Sequence, residues 1–314
     1  MSAYHTPVLV EEVLDWLAPR PGGRIVDATL GGGGHARAIA ERLAPGGVLL
    51  GLDQDREALA EAGRALAEAA PEGVTIRTAR ANFADLAGAS GREGLTSVDG
   101  VLMDLGVSSH QLDTPGRGFA FRYAGPLDMR MDPDEGETAA DLLARLPEAE
   151  IARILFEFGE EPRARRIAAE IVRRRAVRPL RTTEDLVDAV RGAMPFRTRP
   201  GEIHPATRTF QALRIAVNRE LDVLREALTQ AAAALAPGGR LVVIAYHSLE
   251  DRIVKNEMAR LSGKRVENDL PFAEPAPEPV LTVLTRKPVV PGPDEVRANP
   301  RARSAKLRAA ERRP

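Results

Sequence analysis

The first third of the chain alternates short apolar runs with stretches whose apolar residues recur at helical spacing. Runs near 24–29, 47–53, 74–78 and 98–104 read as strands, and the segments between them as helices. Leu59, Ala62, Ala65 and Leu66 give one such helix its apolar face. Strands alternating with helices predict a parallel sheet covered on both faces. The next clear strand is Arg240 to Tyr246, introduced by Pro237-Gly238-Gly239. About 135 residues separate it from Asp104, whereas a crossover between parallel strands needs only about a dozen. Most of that span is therefore an inserted domain.

The insert has a helical pattern. Ile151, Ile154, Leu155 and Phe158 recur at helical spacing and stop at Gly159; Ile167, Ile171 and Val172 mark a second helix. Thr182, three residues before Asp185, approximates a capping box for a third, which carries Leu186, Val187 and Val190. A long helix from about Ala206 to Leu235 leads back to the sheet. Val280 to Thr285 reads as a late strand after an acidic, proline-rich loop, Pro271 to Pro279. Beyond Pro288 no apolar periodicity remains, so the tail is expected to be mobile or draped over the surface. The expected division is a sheet domain of residues 1–108 and 208–314, with a basic tail from 288, and a helical insert of 109–207.

The first strand, Ile25-Val26-Asp27, enters the turn Gly31-Gly32-Gly33-Gly34-His35, and the second ends in Gly51-Leu52-Asp53. Glycines let a backbone approach a ligand, and an acid at the next strand's tip can hold ribose hydroxyls. Gly31, Gly33 and Ala36 formally satisfy a dinucleotide fingerprint. However, Asp27 just before the turn would oppose a pyrophosphate at the helix N-terminus. A third acid, Asp104, ends the fourth apolar run. Three carboxylates converging on one crevice suit a cationic ligand, and S-adenosylmethionine carries a sulfonium, an ammonium and a ribose diol. The pattern favours that methyl donor.

Composition narrows the field further. Of 314 residues, 44% are hydrophobic and 28% charged, a soluble globular balance, and no apolar run is long enough for a membrane span. There is no signal-peptide pattern at the N-terminus, and no cysteine for disulfides or thiolate chemistry; a cytoplasmic location is expected. The net charge of −1 hides two basic blocks. Residues 163–199 hold 11 arginines against four acids, net +7, and residues 296–314 hold seven basic residues against one acid, net +6. Such clustering suggests a polyanionic partner.

Asp104-Leu105-Gly106-Val107-Ser108-Ser109 places an acid beside a tight turn. An exocyclic amine is a poor nucleophile because its lone pair is delocalised into the base. An acceptor hydrogen-bonded to the N–H returns density to nitrogen while the turn holds the base in line. Asp104 is thus a candidate catalytic acceptor, with a plain capping acid as the alternative. His247, closing the strand in Tyr246-His247-Ser248-Leu249-Glu250, either accepts a proton or binds a phosphate, or caps the following helix. Phe83 offers adenine an aromatic face or belongs to the core. His35 forms part of the glycine turn or touches only solvent. His204 to Gln211 mixes cationic, hydroxyl and aromatic groups, as a phosphate-and-base contact or as a hinge. His5, His204 and His247 lack metal-ligand spacing, and no metal site is expected.

His5-Thr6-Pro7-Val8-Leu9, Asp104 to Ser109, Gly125-Pro126-Leu127-Asp128-Met129-Arg130-Met131, His204 to Gln211, His247 to Arg252 and Asn299-Pro300-Arg301-Ala302-Arg303-Ser304 together resemble the bacterial MraW/RsmH family. The blocks run in order through nearly the whole chain. The resemblance implies an α/β fold, a doubly wound class I (Rossmann-like) methyltransferase sheet with an inserted helical RNA-recognition domain. It also implies an enzyme that transfers methyl from S-adenosylmethionine to N4 of a cytidine in the decoding region of 16S ribosomal RNA, within the small subunit. Cofactor contacts are implied at Gly33, Gly34, His35, Asp53, Phe83, Asp104 and Gln111. His110 departs from the pattern, standing where proline is expected, which puts the rigidity of that turn in question. The alternatives are an amine methyltransferase acting on DNA cytosine, a non-catalytic RNA-binding protein, or an NAD-dependent oxidoreductase.

Overall fold

The computed structural model describes residues 7–194, 204–264 and 278–314. His5, the stretch 195–203 with Arg197 and Arg199, and most of the loop from Pro271 lie outside the described residues. The chain divides into two units, Met1–Gly106 with Leu221–Pro314, and Val107–Glu220. The first runs through α1 (Val10–Leu17), β1 (Arg24–Asp27), α2 (Gly34–Leu43), β2 (Val48–Asp53), α3 (Arg56–Ala69), β3 (Thr75–Arg80), α4 (Leu86–Arg92) and β4 (Val98–Asp104). The second carries α5 (Ser109–Asp113), α6 (Ala139–Arg145), α7 (Glu148–Glu157), α8 (Ala164–Arg175), α9 (Thr183–Ala193) and α10 (Ala206–Asn218). The first unit then resumes with α11 (Glu220–Ala234), β5 (Leu235–Ala245), α12 (Ser248–Leu261), β6 (Leu281–Val283), α13 (Pro293–Ala298) and β7 (Lys306–Arg312). No helix among the described residues is long and apolar enough to cross a membrane.

Strand side chains point alternately to opposite faces, and in the central strands both faces are buried. Val26, Leu50, Val101, Met103 and Val243 pack on one side with Leu224 and Leu228 of α11 and Val254 and Met258 of α12. Ile25, Leu49, Leu102, Val242 and Ile244 pack on the other with Val13 and Leu17 of α1 and Ile39 and Leu43 of α2. Double-sided burial is why these strands read as continuous apolar runs. The sheet order is β3-β2-β1-β4-β5-β7-β6. The first five strands are parallel, and β7 runs antiparallel to both β5 and β6. The order reverses at β1, which opens a crevice at the carboxyl ends of β1, β2 and β4.

The tail departs from expectation. Lys306–Arg312 is neither mobile nor draped; it is strand β7, inserted between β5 and β6, with Leu307, Ala309 and Ala310 fully buried. Its polarity misleads because Arg308, also buried, is neutralised by Asp251 of α12 at 2.6 Å, with Lys306 3.3 Å from the same carboxylate.

Two boundaries also move. The long helix expected over 206–235 breaks at Arg219, whose φ of 50° is left-handed, into α10 and α11. The insert does not end at 207. Phe210, Ala212 and Leu213 of α10 belong to the helical unit's core, with Ile154 and Leu155 of α7, Ile167 and Ile171 of α8, and Leu186 and Val190 of α9. The expected cap of α9 is present in full: Thr182 N–H donates to Asp185 Oδ2 at 3.0 Å and Asp185 N–H to Thr182 Oγ1 at 3.1 Å.

The basic block of this unit is largely engaged within it. Arg173 and Arg174 both donate to Glu170, whose carboxyl they hold down to about 2. Arg191 pairs with Asp188 at 2.9 Å. Arg178 pairs with Asp185. Arg175 donates to the carbonyls of Leu143 and Leu146, capping the C-terminal end of α6. The His204–Gln211 block is also turned to packing. The His204 ring stacks on Phe121 at 4.5 Å, Arg208 donates to Glu160 O and Gln211 to Phe158 O.

Candidate active site

The glycine turn is shaped by backbone constraint. Gly31 (φ 50°) and Gly33 (φ 79°) lie in the left-handed region, where a side chain would be strained. Gly33 is the N-cap of α2 and Gly34 its first residue. Ala28 N–H donates to Leu102 O and Leu30 N–H to Leu52 O, which tie the turn to the flanking strands. Gly31 N–H donates to Asp53 Oδ2 at 2.9 Å, so the acid at the tip of β2 grips the turn directly. Asp53 Oδ1 accepts from Asp55 N–H at 2.9 Å. The Gln54 N–H also bears on this carboxylate, which still has lone-pair capacity to spare.

Two carboxyls here are held above their ordinary range. Desolvation pushes Asp53 up to about 6, against the pull of its backbone donors. Asp27, 1% exposed, is pushed up to about 6 by burial, opposed by His35 and by the N–H of Thr29. A buried acid left without a strong cationic partner is costly in its charged form; a cationic ligand would remove that cost. The residues therefore fit S-adenosylmethionine: left-handed glycines for close approach, an acid at the β2 tip for a diol, and a negative crevice for positive charge.

Asp104 ends β4 in a network of bonds. Its backbone N–H donates to Thr29 Oγ1 at 2.6 Å. Its Oδ1 accepts from the Tyr246 hydroxyl at 2.8 Å. Its Oδ2 lies 3.6 Å from His35 Nδ1. His35, buried in the first turn of α2, has its Nε2 2.8 Å from Val8 O. A carbonyl only accepts, so Nε2 carries a proton, and the contact to Asp104 becomes an ion pair when Nδ1 is protonated too. Burial, and then the neighbouring Asp104, raise the Tyr246 phenol above its ordinary value, so it remains a neutral donor. Tyr246 and Thr29 were not singled out from the sequence. The available signal was position: Tyr246 directly precedes His247, and Thr29 lies two residues beyond Asp27.

The structure gathers Gly31 to His35, Asp27, Asp53 and Asp104 around one strand-end crevice. It uses His247 as the N-cap of α12: Glu250 N–H approaches Nδ1 at 3.4 Å, and His247 N–H approaches Glu250 Oε2 at 3.3 Å. With Nδ1 accepting, the proton belongs on Nε2. That atom lies 3.2 Å from Glu250 Oε1 but outside hydrogen-bonding geometry, and it is buried without a hydrogen-bond partner. Phe83 opens a short 3₁₀ turn beyond β3 and packs against the sheet core, half-buried. Gln111 lies in the helical unit. Its side-chain oxygen accepts from Ser108 N–H at 3.0 Å while Ser108 Oγ accepts from Gln111 N–H, which together cap α5. This capping box fixes the turn around His110 without proline.

A seven-stranded sheet in this order, with an antiparallel penultimate strand, a glycine turn after β1 and acids ending β2 and β4, defines an S-adenosylmethionine-dependent methyltransferase of the Rossmann-like class. The sequence pattern of the MraW methylase family matches residues 2–313, and the chain belongs to that family. It is similar to three relatives named ribosomal RNA small subunit methyltransferase H. It is 52% identical to that of Heliobacterium modesticaldum, over 99% of both chains. It is 53% identical to that of Pelobacter propionicus, over 98% of both. It is 54% identical to that of Bradyrhizobium diazoefficiens, over 99% of this chain and 92% of the other.

Proposed function

We propose that the protein transfers a methyl group from S-adenosylmethionine to N4 of a cytidine in the decoding region of 16S ribosomal RNA, within the small subunit and in the cytoplasm. The names of the relatives support the ribosomal RNA substrate, and the observation that carries the chemistry is the bonded carboxylate of Asp104. When bound, S-adenosylmethionine supplies an electrophilic methyl on a positively charged sulfur. Asp53 holds ribose hydroxyls with its remaining lone pairs, Gly33, Gly34 and His35 shape the turn beside them, and Phe83 offers adenine a face. Asp27 sets the negative potential of the crevice.

Asp104 accepts a hydrogen bond from the cytosine amine, raises electron density on N4 and takes the proton that the nitrogen sheds. Tyr246 is a positioning residue, fixing Oδ1 so that the carboxylate does not rotate away. His247 stays second to Asp104 as a catalytic candidate, because its ring caps α12 and its Nε2 is buried. The helical unit is assigned RNA recognition, resting on exposed Arg165 and Arg166 at the start of α8 rather than on the paired Arg173 and Arg174. Tritium transfer from labelled cofactor into small subunits, free 16S RNA and DNA tests the reading. Label is expected in the ribosomal substrates; label confined to DNA, or none, would overturn it.

A further inference from the structure

The chain's only four lysines, Lys255, Lys264, Lys287 and Lys306, fall on or just beyond α12 or in the stretch from β6 to β7, in a protein whose other permanent cations are arginine. Two of them line a groove of about 500 Å³ between α12 and the sheet's outer strand β6. Its lining includes Lys255, Ser262, Lys264, Thr282, Arg286 and Arg313. These four cations are exposed and form no ion pair with an acid among the described residues. Arg308, deeper in the same groove, is already neutralised by Asp251. At the end of α8 and in α9 the pattern is the reverse, since Arg173 and Arg174 share Glu170 and Arg191 has Asp188.

Four charges without an acid partner among the described residues, set around one concavity, give it a local positive potential that suits a polyanion. The hydroxyl side chains among them are Ser262, Thr282 and the more deeply set Thr285, and such groups serve as donors to phosphate oxygens. We infer that this groove binds the sugar-phosphate backbone of the RNA substrate as a sequence-blind contact outside the catalytic crevice. The inference rests on the RNA-methylating function proposed above. Three strand steps, β4 to β5 to β7 to β6, separate Asp104's strand from the groove. At about 4.8 Å per step that is about 14 Å, within the span of a few nucleotides.

The test is the full-length Lys255→Gln/Arg286→Gln/Arg313→Gln variant, titrated with 16S RNA across a salt series. Affinity at low salt should fall on the order of ten-fold. The slope of log affinity against log salt should flatten by about two, at roughly 0.7–0.9 for each phosphate no longer neutralised. Affinity for S-adenosylhomocysteine and the melting temperature should be unchanged. If the triple variant melts early, Arg313→Gln alone serves, with a slope change of about one. Equal affinity and slope in variant and unaltered protein would remove the groove and leave the function standing. Failure of the unaltered protein to bind RNA would overturn the functional reading and the groove with it. A weakening seen on intact subunits but not on free RNA would identify a ribosomal protein as the occupant and refute the RNA assignment.

Discussion

At the mouth of the sheet, Asp27 and Asp53 are pushed up to about 6 by burial. In the helical unit, Glu170 is held down to about 2 because Arg173 and Arg174 donate to it from the next turn of the same helix. The acids of the first region lack a strong cationic partner; those of the second are already answered. Along the chain the basic block of 163–199 stands out by density, whereas the three acids of the crevice are 26 and 51 residues apart and meet only through their strand-end positions. Charge density along a chain therefore says little about which charges await a ligand. Charges that the fold leaves uncompensated, in the crevice and in the groove beside α12, are the better guide.

The sharpest way to break this contrast is to remove the acceptor from the crevice. Asp104→Asn should keep the fold and cofactor binding while single-turnover methyl transfer falls about 100-fold or more, the range for a positioned proton acceptor. Recovery of the rate at saturating cofactor would reduce Asp104 to a binding residue. Tyr246→Phe should give a smaller loss, about ten-fold, in kcat rather than KM, because the carboxylate remains and only its orientation relaxes.

Next in size is the loss of a carboxylate at the β2 tip. Asp53→Ala should weaken S-adenosylhomocysteine binding by about 1–3 kcal/mol, the range for charge-assisted hydrogen bonds, as read by calorimetry. The unaltered protein should show a pH signature in the same experiment. With Asp27 and Asp53 near 6, both are partly protonated at that pH in the free protein. A cationic ligand requires them ionised, so S-adenosylmethionine binding should release protons around pH 6 and weaken as the pH falls below it. Calorimetry in two buffers of different ionisation heat measures that release. The raised values also stabilise the free folded protein in acid, in full below the ordinary 3.8, and this contribution is lost as pH rises through about 6.

The helical unit holds a loss of similar size and the smallest effect of all, because its arginines divide by what they hold. Arg175→Ala leaves two carbonyls at the end of α6 without their donor and should cost about 1–3 kcal/mol in denaturant unfolding. Arg173→Ala should leave the midpoint unmoved, because its exposed pair with Glu170 is solvent-screened and Arg174 remains. Equal effects would dissolve the distinction between structural and surface arginines.

Much of the sheet was legible because its central strands are buried on both faces and β1, β2 and β4 end in acids. Val98–Asp104 matches the expected strand at both ends, and β1, β2 and β3 fall within two residues of their expected bounds. Strand β7 was not legible. Its partner for Arg308 lies 57 residues away on α12, and alanines at 309 and 310 carry too little apolar signal to mark a strand. The domain boundary was misplaced for a related reason. His204-Pro205 looks like a hinge, yet Phe210 and Leu213 commit α10 to the helical core, and the true break at Arg219 has no glycine or proline to announce it. Within the crevice the acids and glycines were readable from strand-end position. Tyr246 was not, because its bond to Asp104 spans 142 residues and joins neighbouring strands β4 and β5.

The most direct measurement is mass spectrometry of 16S RNA from cells lacking this protein, complemented with either the unaltered gene or Asp104→Asn. The account predicts loss of one N4-methyl group from a single decoding-region cytidine, restored by the unaltered protein and not by Asp104→Asn. A 16S RNA whose methylation is unchanged without the protein, or a mark fully restored at wild-type rate by Asp104→Asn, would contradict it.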